Sequence, residues 1–243
     1  MRAAVLRGGS VEARTVDDPV PGPGQLLVRS LACGICASDL HFMDHPEAGA
    51  DDDSGMSTYD QDVDIVMGHE YCAEVVDYGP GTERLIPVGT RVSSLPVLAT
   101  PAGRRIIGQS PEAPGGFGEL FLLTEAITRV VVSDLPSEIV CVADAISVGW
   151  STASRARLTA SEVPLVIGCG AIALSAIGRS STGMPRNSTK PRPSMTSARS
   201  RSSTGPSVGN GKSSRRMSAI SSPRARTACT AASISATSAG DRR

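Results

Sequence analysis

The 243 residues of the chain are 40% hydrophobic and only 3% aromatic, and 24 basic side chains cancel 24 acidic ones. That neutrality is local opposition: residues 1–178 hold 11 Lys/Arg against 23 Asp/Glu, whereas residues 179–243 hold 13 against the single acid Asp241. Neither a run of about 18 apolar residues nor the apolar core of a secretory signal occurs, so the expected setting is the cytoplasm, with no membrane partner.

In chain order, RAAVLR (2–7), VEARTV (11–16) and LLVRSLA (26–32) read as short strands, the last two separated by the breaker DDPVPGPGQ. SDLHFM (38–43) reads as a short helix, and HPEAGADDDSGMSTYDQDVD (45–64) as an exposed acidic loop. Strand signals return at DIVMGHEYCAEVVDYG (64–79), TRVSSLPVLA (90–99) and ITRVVVSDLP (127–136). EIVCVADAISVGWSTASRARL (138–158) has few breakers and reads as helix through much of its length. VPLVIGCGAIALSAIG (163–178) is an apolar strand running into glycines and a second apolar segment, as a nucleotide-binding βα unit begins. From Arg179 onward 24 of 65 residues are Ser or Thr, with no Leu and no aromatic ring. Such a segment buries too little apolar surface to offset an ordering cost of about 1–2 kcal/mol per residue, and disorder is expected.

Chemistry concentrates in LACGICASDLH (31–41) and GHE (68–70). Outside an oxidising compartment, Cys33, Cys36, Cys72, Cys141, Cys169 and Cys229 read as metal ligands or packed side chains rather than a disulfide framework. Thiolate sulfur and imidazole nitrogen suit zinc, and a catalytic zinc takes three protein ligands with a fourth position open. Cys36, His69 and Asp144 could supply three. Cys33 and Cys36 could instead form a redox CxxC, although the βαβ surroundings of a thioredoxin-like motif are missing. Cys33, Cys72 and Cys141 could be packed thiols, Cys141 could replace Asp144 as a ligand, Asp144 could merely cap a helix, and His45 could be solvated.

GICASDLH, then GHE about thirty residues later, then a GxGxxG/A element together resemble the zinc-dependent alcohol dehydrogenases of the medium-chain dehydrogenase/reductase family, over residues 1 to about 178. The resemblance implies a mainly β, GroES-like barrel domain (1–155), the incomplete start of a Rossmann α/β unit (156–178) and a basic disordered tail (179–243). It implies that Cys36, His69 and Asp144 ligate zinc, that Glu70 is an occasional ligand, and that Asp39 orients His69. Ser38 would contact the substrate hydroxyl and His41 would relay its proton. The four-cysteine lobe of a structural zinc is not expected, since ATPAGRRIIGQSPEAPGG (99–116) has no cysteine.

GCGAIA matches the phosphate-binding turn through Gly168, Gly170 and Ala173, the last in the third glycine position. NAD or NADP is thereby implied, with a small alcohol, aldehyde or ketone as substrate. The acid expected about 20 residues further on to hold the ribose is missing, so this chain alone is not expected to turn over an alcohol. The abrupt change at the tail suggests out-of-frame translation of GC-rich coding sequence. The alternative is a non-catalytic zinc-binding β domain whose natural basic tail holds acidic partners by charge. Without aromatics for base stacking, nucleic acid is not the expected partner, and nothing fixes an oligomeric state.

Overall fold

The computed structural model describes residues 1–45, 54–159 and 162–181, with two further strands at 216–217 and 233–238. These residues fall into two compact units, the first reaching Val148 and the second beginning at Gly149. Among the described residues no helix is long and apolar enough to cross a membrane.

The first unit is built from antiparallel strands. β1 (Arg2–Arg7) and β2 (Ser10–Thr15) form a hairpin whose two turn residues, Gly8 and Gly9, have φ of 56° and 76°. Positive φ at both centres suits the right-handed twist of the flanking strands, and glycine adopts it without a Cβ penalty. β1 also pairs with β4 (Ile65–Val66). A five-stranded sheet has β3 (Gln25–Gly34) and β5 (Glu70–Tyr78) at its centre, flanked by β9 (Leu120–Thr124) and β6 (Arg91–Ser94), with β10 (Thr128–Val130) beyond β6. β7 (Val97–Thr100) and β8 (Gly103–Ile106) make a separate hairpin.

Alternating positions of the central strands bury Leu26, Val28, Ala73, Val75, Val92, Phe121 and Leu123 completely. The Tyr71 ring meets Phe121 edge-on at 4.7 Å, a preferred aromatic arrangement. A second cluster joins Leu6, Tyr59, Ile65 and Met67 to Phe42 and Phe117. Phe42 belongs to α1 (Ala37–Asp44) and stacks on Tyr59 at 5.4 Å, fastening that helix over the sheet.

Two further helices follow, α2 (Ser137–Val140) and α3 (Ala143–Ala156), the latter continuing past Val148 into the second unit. There β11 (Glu162–Ile167) leads through a glycine turn into α4 (Ala171–Ser181), and Val166 packs with Ala153, Ala156 and Ala176. This is the expected βα step. β11 pairs antiparallel with β13 (Ser233–Ser238), which pairs with β12 (Arg216–Met217).

The structure adds detail that the sequence reading lacked. The apolar LFLLT of β9 and the GRRI of β8 were not read as strands. The expected strand at 64–79 is interrupted at Met67–His69, and the helix at 138–158 is broken at Cys141–Val142. Of the segment read as a disordered tail, Arg179–Ser181 complete α4 and two short strands are described; the remainder lies outside the described residues, as do residues 46–53 of the acidic loop.

Candidate metal centre

Cys36 sits where β3 hands over to α1, as the residue before the first helical turn, with extended φ and ψ of −82° and 155°. Asp39 secures that turn. Its Oδ2 accepts the Cys36 N–H at 2.9 Å, and its own N–H donates to the Cys36 carbonyl at 3.1 Å. An acid three residues into a helix satisfies a backbone donor that the helix itself cannot. Ser38 and His41, three apart on α1, share a helix face.

His69 and Glu70 arrive with the neighbouring strand, β5 pairing with β3 so that Glu70 lies opposite Gly34. Gly68, at φ +96°, swings the chain out of β4 before β5 begins at Glu70. Both side chains are buried, as is Asp39, which is 1% exposed. Cys36, His69 and Glu70 bring one ligand atom each within 4.8 Å of one another. His69 Nδ1 lies 3.4 Å from Asp39 Oδ1, and Nε2 lies 3.4 Å from Ser38 Oγ.

Burial works against a charged imidazole at His69, but hydrogen bonding toward Asp39 and Cys36, with the charges of both, raises its pKa to about 10. Nδ1 and Oδ1 stand 3.4 Å apart, and neither has another partner among the described residues. A buried carboxylate and a sulfur around an imidazole favour positive charge there, and one thiolate, one imidazole and a carboxylate oxygen are a donor set that zinc accepts.

Asp144 opens α3. Burial raises its pKa while the charge of His69 pulls it down, so the two groups sense one another. Its carboxylate stands outside the three-residue cluster and borders a cavity of about 300 Å³ with Ser94, Leu95 and Ser147. His41 Nδ1 is buried without a hydrogen-bond partner among the described residues, and its ring is 5.0 Å from that of His45.

Cys33, Cys72 and Cys141 are placed for packing, Cys169 is exposed, and Cys229 lies outside the described residues. Burial, reinforced by the Asp39 charge, pushes the Cys33 thiol up to about 12, so the thiolate that redox exchange needs is suppressed. Cys72 and Cys141 are buried and free, burial raising both, and the Cys141 thiol donates to the Glu138 carbonyl.

In the second unit Gly168 has φ +120°, a Cβ at Gly170 would meet nothing within 4 Å, and Ala173 is buried near the start of α4. An open glycine turn ahead of a helix N-terminus is a geometry that accepts phosphate.

A feature the sequence reading passed over is GGFG at 115–118, which clasps the ligand segment: Gly115 N–H donates to Val66 O, Gly116 N–H to Gly68 O and Phe117 N–H to Met67 O.

Residues 22–134 match the family described as Alcohol dehydrogenase GroES-like domain. The (R,R)-butanediol dehydrogenase of Bacillus subtilis is 27% identical over 170 residues, 67% of this chain and 49% of that protein. A zinc-type alcohol dehydrogenase-like protein of Escherichia coli is 27% identical over 195 residues, 73% of this chain and 53% of that protein. Among solved structures, 2R,3R-butanediol dehydrogenase from Bacillus subtilis superposes with a TM-score of 0.60 at 26% identity, covering 73% of this chain and 54% of that one. The chain spans about half the length of the curated relatives it matches.

Proposed function

We propose, from the premise that the chain belongs to the medium-chain dehydrogenase/reductase family through its alcohol dehydrogenase GroES-like domain, that residues 1–155 are the substrate-binding part of a zinc-dependent oxidoreductase. The reaction moves a hydride from a small alcohol to NAD or NADP, and a proton to solvent, leaving an aldehyde or ketone. Residues 156–178 would contribute the first step of the cofactor domain.

The observation that carries this reading is the convergence of Cys36, His69 and Glu70 within 4.8 Å beside the buried Asp39. Cys36, His69 and Asp144 would hold the ion, with Glu70 beside it as an occasional ligand. Bound there, zinc supplies a Lewis acid that lowers the pKa of an alcohol oxygen. Asp39 fixes the imidazole of His69 by facing Nδ1, which leaves Nε2 for the ligand direction. Ser38 Oγ lies on that Nε2 side, where it accepts a hydrogen bond from the substrate hydroxyl. His41, on the same face of α1, takes the proton onward through Nδ1, which has no hydrogen-bond partner among the described residues. The turn at Gly168 and the open space at Gly170 offer room for a pyrophosphate, with Ala173 buried near the start of α4.

Cobalt makes the alcohol-binding half of this reading visible without any nicotinamide. The Co²⁺-loaded chain should change its visible spectrum when a small alcohol is added, and Ser38→Ala should weaken that response. A spectrum indifferent to alcohols would contradict the reading.

A further inference from the structure

We infer that the segment carrying His69 and Glu70 is held in register by a cradle of glycines from three other parts of the chain, and that Gly115 and Gly116 are positioning residues for the metal ligands. This rests on the zinc reading above and extends it to residues that touch no metal.

Several glycines crowd this segment. A Cβ at Gly34 would stand 2.7 Å from Glu70 Oε2, and one at Gly108 would stand 2.8 Å from Gly68 N. A Cβ at Gly115 would run into the Gly68 carbonyl oxygen and stand 2.5 Å from that of Met67. One at Gly116 would lie 2.8 Å from Cys33 Sγ, and one at Gly68 itself would lie 2.8 Å from the same sulfur and 2.7 Å from the Phe117 ring. Real Cβ atoms do not approach so closely. Gly34, Gly115 and Gly116 lie outside the positive-φ region, so backbone conformation is not what requires glycine at those three positions; space is.

The cradle also ties both ligand carriers together. Cys33 is in β3, three residues before Cys36, and its sulfur fills the gap between Gly68 and Gly116. Ser30 Oγ, also on β3, donates to the Gly116 carbonyl at 2.7 Å, and Gly116 N–H donates to Gly68 O at 2.8 Å. GGFG therefore bridges β3, which leads into Cys36, and Met67–His69, which ends on the second ligand. A methyl group in that bridge displaces one ligand relative to the other.

Gly116→Ala in the full chain tests this, with Gly81→Ala as the matched control, because Gly81 has φ +67° and open space around its Cβ position. That control strains the backbone without touching the ligand segment. Zinc affinity by chelator competition and the visible spectrum of the Co²⁺ form are the readouts. Gly81→Ala should leave both unchanged. Gly116→Ala should shift the Co²⁺ bands and weaken zinc by about tenfold or more, and adding Cys33→Ala, which removes the opposing sulfur, should restore both. If Gly116→Ala fails to fold, Phe117→Ala releases the segment from the other side and should shift the bands in the same assay. A folded Gly116→Ala or Phe117→Ala protein with unaltered zinc affinity and spectrum overturns the inference. Absence of Co²⁺ uptake by the unsubstituted chain overturns the zinc reading, and this inference with it.

Discussion

Asp39 faces His69 across 3.4 Å while its second oxygen takes the Cys36 N–H at 2.9 Å, so one buried carboxylate touches both residues proposed to bind the metal. The helix cap and the orientation of the imidazole are thus a single device.

Asp39→Asn tests that coupling. The amide oxygen still accepts the Cys36 N–H, so α1 should persist, but the charge opposite His69 is gone. Zinc affinity should fall by roughly 10- to 100-fold with the circular dichroism spectrum unchanged. Affinity equal to that of the unsubstituted chain would place the orienting group elsewhere.

Two carboxylates compete for the third ligand position. Glu70 lies in the compact cluster, whereas Asp144 senses His69 from the first turn of α3. Asp144→Asn should lower zinc affinity at least about tenfold, because an amide is a poorer ligand than a carboxylate, while Glu70→Gln should keep stoichiometric zinc. The reverse result, metal lost in Glu70→Gln and kept in Asp144→Asn, would move the assignment to Glu70.

The raised pKa of His69 has a signed consequence. From an unfolded value of 6.5, His69 rises to about 10 in the folded, metal-free chain. Between those values the folded state binds the extra proton, so this group stabilises fully below 6.5 and its contribution is lost as pH rises through about 10. The metal-free protein should lose stability to urea across that window, less steeply in His69→Gln. Zinc must displace the same proton, so its affinity should climb with pH over the same range. A flat affinity between pH 7 and 9 would contradict a protonated His69 in the metal-free site.

Much of this was legible in the sequence. The strands RAAVLR and LLVRSLA, the helix before His45 and the glycine-turned βα step all follow from short-range pattern and punctuation. The GHE interruption was not, because Gly68 acts by leaving strand geometry inside an otherwise continuous apolar run. β9 went unread because LFLLT is buried on both faces and carries no alternation. The site residues could be named from motifs, but the proximity of Glu70 to Cys36 and the clasp of GGFG on Met67–His69 are contacts between distant parts of the chain, which no local pattern encodes.

The dinucleotide turn carries a separate expectation. No Asp or Glu occurs between Val163 and Gly240, so the ribose carboxylate that normally follows such a turn by about 20 residues is lacking. Titration with NAD(H) or NADP(H) should show no saturation in the micromolar range. A saturable isotherm there would mean that other groups hold the ribose.

The most direct test of the central claim is the metal content of the purified chain beside Cys36→Ser and His69→Ala. About one zinc per unsubstituted chain is expected, with loss of stoichiometric zinc in both variants, since removing a thiolate or an imidazole leaves too few ligands. Full zinc in both variants, or none in the unsubstituted protein, would contradict the account.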